Sequence, residues 1–217
     1  MRLTLTFDNG PDPEVTPRVL EVLARRELRA HFFVLGERVA TPAGRALVER
    51  EHAEGHLVGN HSYTHRVPLG DDLRADAVEQ EIVATQVLLD PLVPGARRFR
   101  PVGGGGALGP NLLSRRAAAH LQAEGYTCVL WNAVPRDWED PDRWATRALA
   151  DLATRDHTVL VLHDLPNACL AGLDDFLAAA RDRGATFGLD VPAACTPIVD
   201  GRVIAELAPI VRERGAA

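Results

Sequence analysis

The chain has 217 residues, of which 46% are hydrophobic, 25% charged and 5% aromatic, which suits one globular core and excludes disordered and fibrous classes. All 24 basic residues are Arg and none is Lys, so a Walker phosphate loop, a pyridoxal Schiff base and a lysine nucleophile are ruled out. A formal net charge of −6 with no basic run argues against a nucleic-acid partner. Cys128, Cys169 and Cys195 are widely spaced and suggest neither a disulfide framework nor a zinc knuckle. No stretch approaches about 18 uninterrupted apolar residues, so no membrane partner is expected. Met1 and Arg2 lead into LTLTFD without a signal-peptide pattern, and with Met1 as the true start the expected location is the cytoplasm.

In chain order, residues 3–7 read as a strand that Pro11, Asp12 and Pro13 break. Val15, Val19, Val22 and Leu23 recur at helical spacing, residues 31–35 read as a second strand, and residues 43–54 as a helix closed by Gly55. Residues 56–60 form a short third strand. Val78, Ile82 and Leu89 share a helical face, followed by a strand over 97–102, a helix over 111–124 and a strand over 126–131. A helix over 141–154, an apolar strand over 158–162, a helix over 171–183 and a strand over 186–189 complete the pattern. Repeated β–α units imply an α/β fold, and periodicity alone leaves both a barrel and a doubly wound sheet open. In either, chemistry belongs after the strand C-termini.

Polar groups stand at several of those ends: Asp8 and Asn9, His61 and His65, Arg100, Asp137, then His163 and Asp164. Each alone reads equally as a cap or turn residue, whereas their recurrence points to one pocket. His61 and His65 lie four apart, which on a helical turn puts both imidazoles on one side within reach of one metal ion; rings bonded to backbone are the alternative. His163 follows Leu162 out of the most apolar strand, where an imidazole suits proton transfer, and Asp137 could orient such a ring. Trp138 offers a wall for a sugar ring or a piece of core. Residues 103–106, four glycines, lack the dinucleotide-binding spacing and read as a loop with accessible amides. His52, His56, His120 and His157 read as surface or capping groups.

Six segments, TFDNGP, HFFVLG, GNHSYTH, FRPVGG, WNAVPRDW and LVLHD, resemble in order the motifs of the polysaccharide deacetylase family, whose shared unit is the NodB homology domain. The resemblance covers about residues 3–190, leaves a tail over 191–217, and implies one domain folded as a distorted (β/α) barrel, usually of seven parallel strands. It implies removal of an acetyl or similar acyl group from an amino sugar or related C–N substrate, with a divalent metal, zinc by preference. By position, Asn9, His61 and His65 match the metal ligands, Asp8 the base, His163 the acid, Arg100 the partner of the base and Asp137 the residue that tunes His163. Gly103 matches the oxyanion amide, and Trp138 and Leu162 fall on the substrate side.

Four positions depart from the family pattern. Asn9 replaces a metal-binding Asp, which removes an anion from the ligand set. His31 replaces a usual Thr, as a substitute ligand or as a packed strand residue. Gly103 replaces an aromatic residue, and Val134 a frequent Asp. The alternatives are a carbohydrate-binding protein that has lost its metal through Asn9, and a metal-independent amidohydrolase.

Overall fold

A computed structural model describes residues 1–95 and 97–213. The chain starts in its central strand, β1 (Arg2–Asp8), and continues through α1 (Thr16–Arg25), β2 (His31–Val34), α2 (Gly36–Val39), α3 (Pro42–Ala53) and β3 (Leu57–Asn60). A π-helical turn (Glu79–Val83) leads into α4 (Ala84–Leu89), followed by β4 (Arg98–Phe99), β5 (Leu113–Ser114), α5 (Arg115–Ala123) and β6 (Thr127–Cys128). After α6 (Trp144–Ala153), β7 (His157–His163) and α7 (Leu170–Asp182) come four short strands, β8 (Thr186–Phe187), β9 (Ile198–Val199), β10 (Arg202–Val203) and β11 (Val211–Arg212).

β7 pairs with β1 along its whole length, setting His163 opposite Asp8. The other edge of β1 is shared, with β8 at Arg2 and Leu3 and β2 from Thr6 to Asp8. β3, β4 and β6 follow β2, so seven strands run parallel (β7, β1, β8, β2, β3, β4, β6), and β9 and β10 extend the β6 edge antiparallel. Past β6 the chain crosses to β7, where Ala133 makes an isolated parallel bridge with Leu160. The curled sheet thus meets itself through one bridge, a distorted (β/α) barrel.

Strand alternation divides the core. Leu3, Leu5 and Phe7 of β1 and Leu160 and Leu162 of β7 pack outward against α1, α6 and α7. Thr4, Thr6 and Asp8, all buried, occupy the other face of β1, which on β7 carries Val159 and Val161. The same parity brings His163 inward. Helix starts follow local chemistry: the Thr41 hydroxyl accepts from Gly44 N at 3.0 Å to open α3, and Ser114 accepts from Ala117 N at 3.1 Å to open α5. The strands expected over 97–102 and 126–131 pair over two residues each, because the chain beyond them leaves the sheet. The helix expected from 141 begins at Trp144.

α3 buries Glu51 completely, with no hydrogen-bond partner for either carboxylate oxygen among the described residues. Burial, reinforced by the Asp164 charge, drives this carboxyl well above the ordinary carboxylate range. The folded protein therefore keeps a proton that the unfolded chain releases above about pH 4.3, and stability falls as pH rises from there. Glu51→Met is expected to stabilise the fold at pH 8 by on the order of 1–3 kcal/mol and to flatten that decline. Thermal melts across pH check it; a lower Tm for the variant at pH 8 refutes the argument.

Candidate active site

A cavity of about 490 Å³ opens at the C-terminal ends of the parallel strands. Asp8 and Asn9 enter it from β1, His61 and His65 from the loop after β3, and His163 from β7. Arg100 lies fully buried beneath and donates through Nη1 to Asp8 Oδ1 at 2.8 Å and to Thr6 Oγ1 at 2.6 Å. Its Nε and Nη2 donate to the carbonyls of Val129 and Leu130, both at 3.2 Å, and its guanidinium lies over the Phe33 ring at 4.1 Å. With Oδ1 held, the second oxygen of Asp8 stands 3.7 Å from His61 Nε2.

His61 Nδ1 donates to the Arg100 carbonyl at 2.8 Å, which leaves Nε2 as the lone-pair nitrogen of the neutral ring. Burial pushes His61 down to a pKa of about 3; burial and the neighbouring His61 do the same to His65. The two rings lie 4.9 Å apart, centroid to centroid, and both are neutral at pH 7. Asn9 has a left-handed φ of 73°, which asparagine adopts more readily than most residues, and its Oδ1 is buried without a hydrogen-bond partner among the described residues. Among those residues no group of three His, Cys, Asp or Glu side chains makes a metal site, and Asn9, whose amide oxygen has no partner, lines the same cavity as the two imidazoles. Neutral nitrogens, an unpaired amide oxygen and an adjacent carboxylate fit a borderline divalent cation such as zinc.

Across the cavity the electrostatics reverse. His163 Nδ1 lies 2.8 Å from Asp137 Oδ1, and its backbone N–H donates to Oδ2 at 2.8 Å. Burial alone would lower the His163 pKa, but the bond to buried Asp137 and its charge outweigh it and the pKa is raised above 6.5. The Trp138 ring, partly exposed, meets the His163 ring edge-on at 4.7 Å.

Some of the expected placements change and others hold. The His61–His65 segment is a loop and not a helical turn: Ser62 and His65 have left-handed φ values of 71° and 57°. Leu162 does not line the cavity; alternation turns it into the outer core and presents Val161 instead. His31 is a packed strand residue that stacks on Phe33 and bonds through Nε2 to the Leu189 carbonyl at 2.7 Å, outside the cavity lining. Asp164 also stays out of the cavity, accepting from the Thr16 hydroxyl, and burial raises its pKa to about 6. Gly103 lines the cavity, and the space that a side chain there would take is filled by Trp131. Thr6, which opens the TFDNGP segment, and Glu81 support the site from behind, Thr6 under Arg100 and Glu81 under the loop after β3, and no local pattern marks either for that role.

A curled parallel sheet that gathers an arginine-paired carboxylate and a carboxylate-backed imidazole in one cavity at its strand C-termini makes this an α/β-barrel protein with a candidate active site. The polysaccharide deacetylase family pattern matches residues 2–126. A chitooligosaccharide deacetylase of Rhizobium leguminosarum bv. trifolii is 37% identical over 187 residues, covering 79% of this chain and 78% of that protein. A peptidoglycan-N-acetylglucosamine deacetylase of Listeria monocytogenes is 30% identical over 86% of this chain, which spans only 37% of its length. Among solved structures, a family 4 acetyl xylan esterase from Clostridium thermocellum in complex with a cobalt ion superposes with a TM-score of 0.69 at 27% identity, covering 87% of each chain. The chain belongs to the polysaccharide deacetylase family.

A Cβ built on Gly103 would lie 2.5 Å from Trp131 Cζ2 and Cη2, while the Trp131 Nε1 donates to the Gly106 carbonyl at 2.8 Å. Gly103→Ala is therefore expected to displace the indole and destabilise the fold by roughly 1–3 kcal/mol. Chemical denaturation with tryptophan fluorescence checks both effects; unchanged stability and emission would show that the indole yields freely.

Proposed function

We propose that this chain is a hydrolase that removes an acetyl group from an N-acetylated amino sugar or a closely related C–N substrate. The observation that carries the reading is one cavity holding a carboxylate compensated by arginine, Asp8 with Arg100, and an imidazole backed by a carboxylate, His163 with Asp137. The names of the Rhizobium and Listeria relatives support this substrate class.

Hydrolysis of an amide requires one group to take a proton from water and another to give a proton to the departing nitrogen. Asp8 fits the first task, since Arg100 occupies Oδ1 and leaves Oδ2 toward the His61 side of the cavity. His163 fits the second. Asp137 fixes its Nδ1 and stabilises the imidazolium, so the proton to be given sits on Nε2. The backbone N–H of Gly103 is the donor proposed for the developing oxyanion, and Trp138 forms a wall for the sugar. His61, His65 and Asn9 would hold a divalent ion, zinc by donor chemistry, which would supply Lewis acidity toward a water and the acyl oxygen.

Asn9→Asp places an anion beside the two imidazoles and is expected to tighten zinc binding by at least about tenfold. Isothermal titration of the full chain measures this, and an unchanged affinity would remove position 9 from the site. Acetate release from N-acetylglucosamine oligomers tests the activity. Because the protonated form of His163 acts and its pKa is raised, turnover should hold below that pKa and fall as pH rises through it. Asp137→Asn should shift the fall to lower pH, and His163→Ala should lower kcat on the order of 10²–10⁴-fold. Saturable sugar binding with no release of acetate by the unaltered protein would instead favour a binding protein.

A further inference from the structure

Both imidazoles on one side of the cavity belong to a loop whose backbone is unfavourable when unsupported. Ser62 and His65 hold left-handed φ values of 71° and 57°, a region that residues other than glycine seldom occupy. The His65 N–H donates to the Ser62 hydroxyl at 3.2 Å, which ties the loop to itself but not to the body of the protein. Ties to the body come from α2, whose Gly36 and Glu37 N–H groups donate to the Ser62 and Tyr63 carbonyls at 3.0 Å each, from the Arg100 carbonyl that accepts from His61 Nδ1 at 2.8 Å, and from the π-helical turn Glu79–Val83. The Ile82 carbonyl accepts from Asn60 Nδ2 at 2.9 Å, and Asn60 Oδ1 accepts from Ser62 N at 2.9 Å, at the mouth of the loop. Glu81, 2% exposed, supports the middle: Oε2 accepts from the N–H groups of Tyr63 at 3.0 Å and Thr64 at 2.8 Å, and Oε1 from the Thr64 hydroxyl at 2.9 Å. Arg74 Nη2, at 2.9 Å from Oε1, compensates the charge. A carboxylate is the side chain suited to this place, because all four groups that meet it are donors.

We propose that Glu81 is a positioning residue of the active site, a buried clamp that holds the His61–His65 loop so that both imidazoles face the cavity as a pair. The consequence for ion binding rests on the function proposed above; the ordering of the rings does not. Wide π-turns recur beside functional sites, and here the turn offers a carbonyl to Asn60 and the carboxylate of Glu81 to the loop.

The test compares Glu81→Ala and Glu81→Gln with the unaltered full chain, measuring zinc affinity by isothermal titration and the ring ¹H–¹³C correlations of His61 and His65 without metal. Glu81→Ala is expected to weaken zinc binding by about 10–100-fold and to broaden or double the ring signals. Glu81→Gln should recover most of both, since its single oxygen can turn to the Tyr63 and Thr64 N–H groups. A lower Tm in Glu81→Ala with unchanged zinc affinity and unchanged ring signals would reduce Glu81 to a stability residue and overturn the inference. If the unaltered chain takes up no zinc, the metal reading fails, and the ring spectra alone decide: broadening supports the clamp and identity overturns it. Should Glu81→Ala not fold, Glu81→Asp, too short to reach both N–H groups, takes its place with the same two outcomes.

Discussion

An arginine with no access to solvent sits at the centre of this molecule. Removing a guanidinium from water costs several kcal/mol unless its donors are met, and Arg100 meets them with Asp8, Thr6 and the carbonyls of Val129 and Leu130. Those partners come from β1 and from the chain just past β6, while its own carbonyl fixes His61. One buried side chain therefore joins three parts of the barrel, sets which oxygen of Asp8 remains free, and chooses the tautomer of a proposed ligand. Removing either Asp8 or Arg100 alone would strand a charge in the interior, a larger penalty than removing both together.

The cavity built above it keeps histidines in opposite states within one small volume. His61 is buried beside Arg100 and half-buried His65 lies beside His61, so the neutral rings with free lone pairs prevail. His163 is buried too, but Asp137 grips it twice and the cation is favoured. Identical side chains thus take opposite charge preferences within one cavity, and the difference lies in what stands behind each ring.

The departures from the family pattern also have physical consequences. The amide of Asn9 retains an oxygen in the cavity but lacks the negative charge, which bears on affinity for an ion more than on direction of approach. At Gly103 the missing side chain leaves no void, because Trp131 fills the space and ties down the glycine loop.

Order along the chain is enough to reveal the β–α rhythm and most of the polar groups that line the cavity: Asp8, Asn9, His61, His65 and His163 stand after apolar runs, and those ends converge in any parallel α/β fold. The local pattern misled where backbone geometry is not periodic. The two-histidine segment bends through left-handed residues, and the turn carrying Glu81 has the wide π repeat, so a 3.6-residue period describes neither. Facing depended on strand parity in three dimensions, which turned Leu162 away from the cavity and Val161 toward it. Residue types thus established which chemistry was available, whereas the charge state of each imidazole and the support behind it arose only on folding, because both depend on burial and on partners far away in the chain.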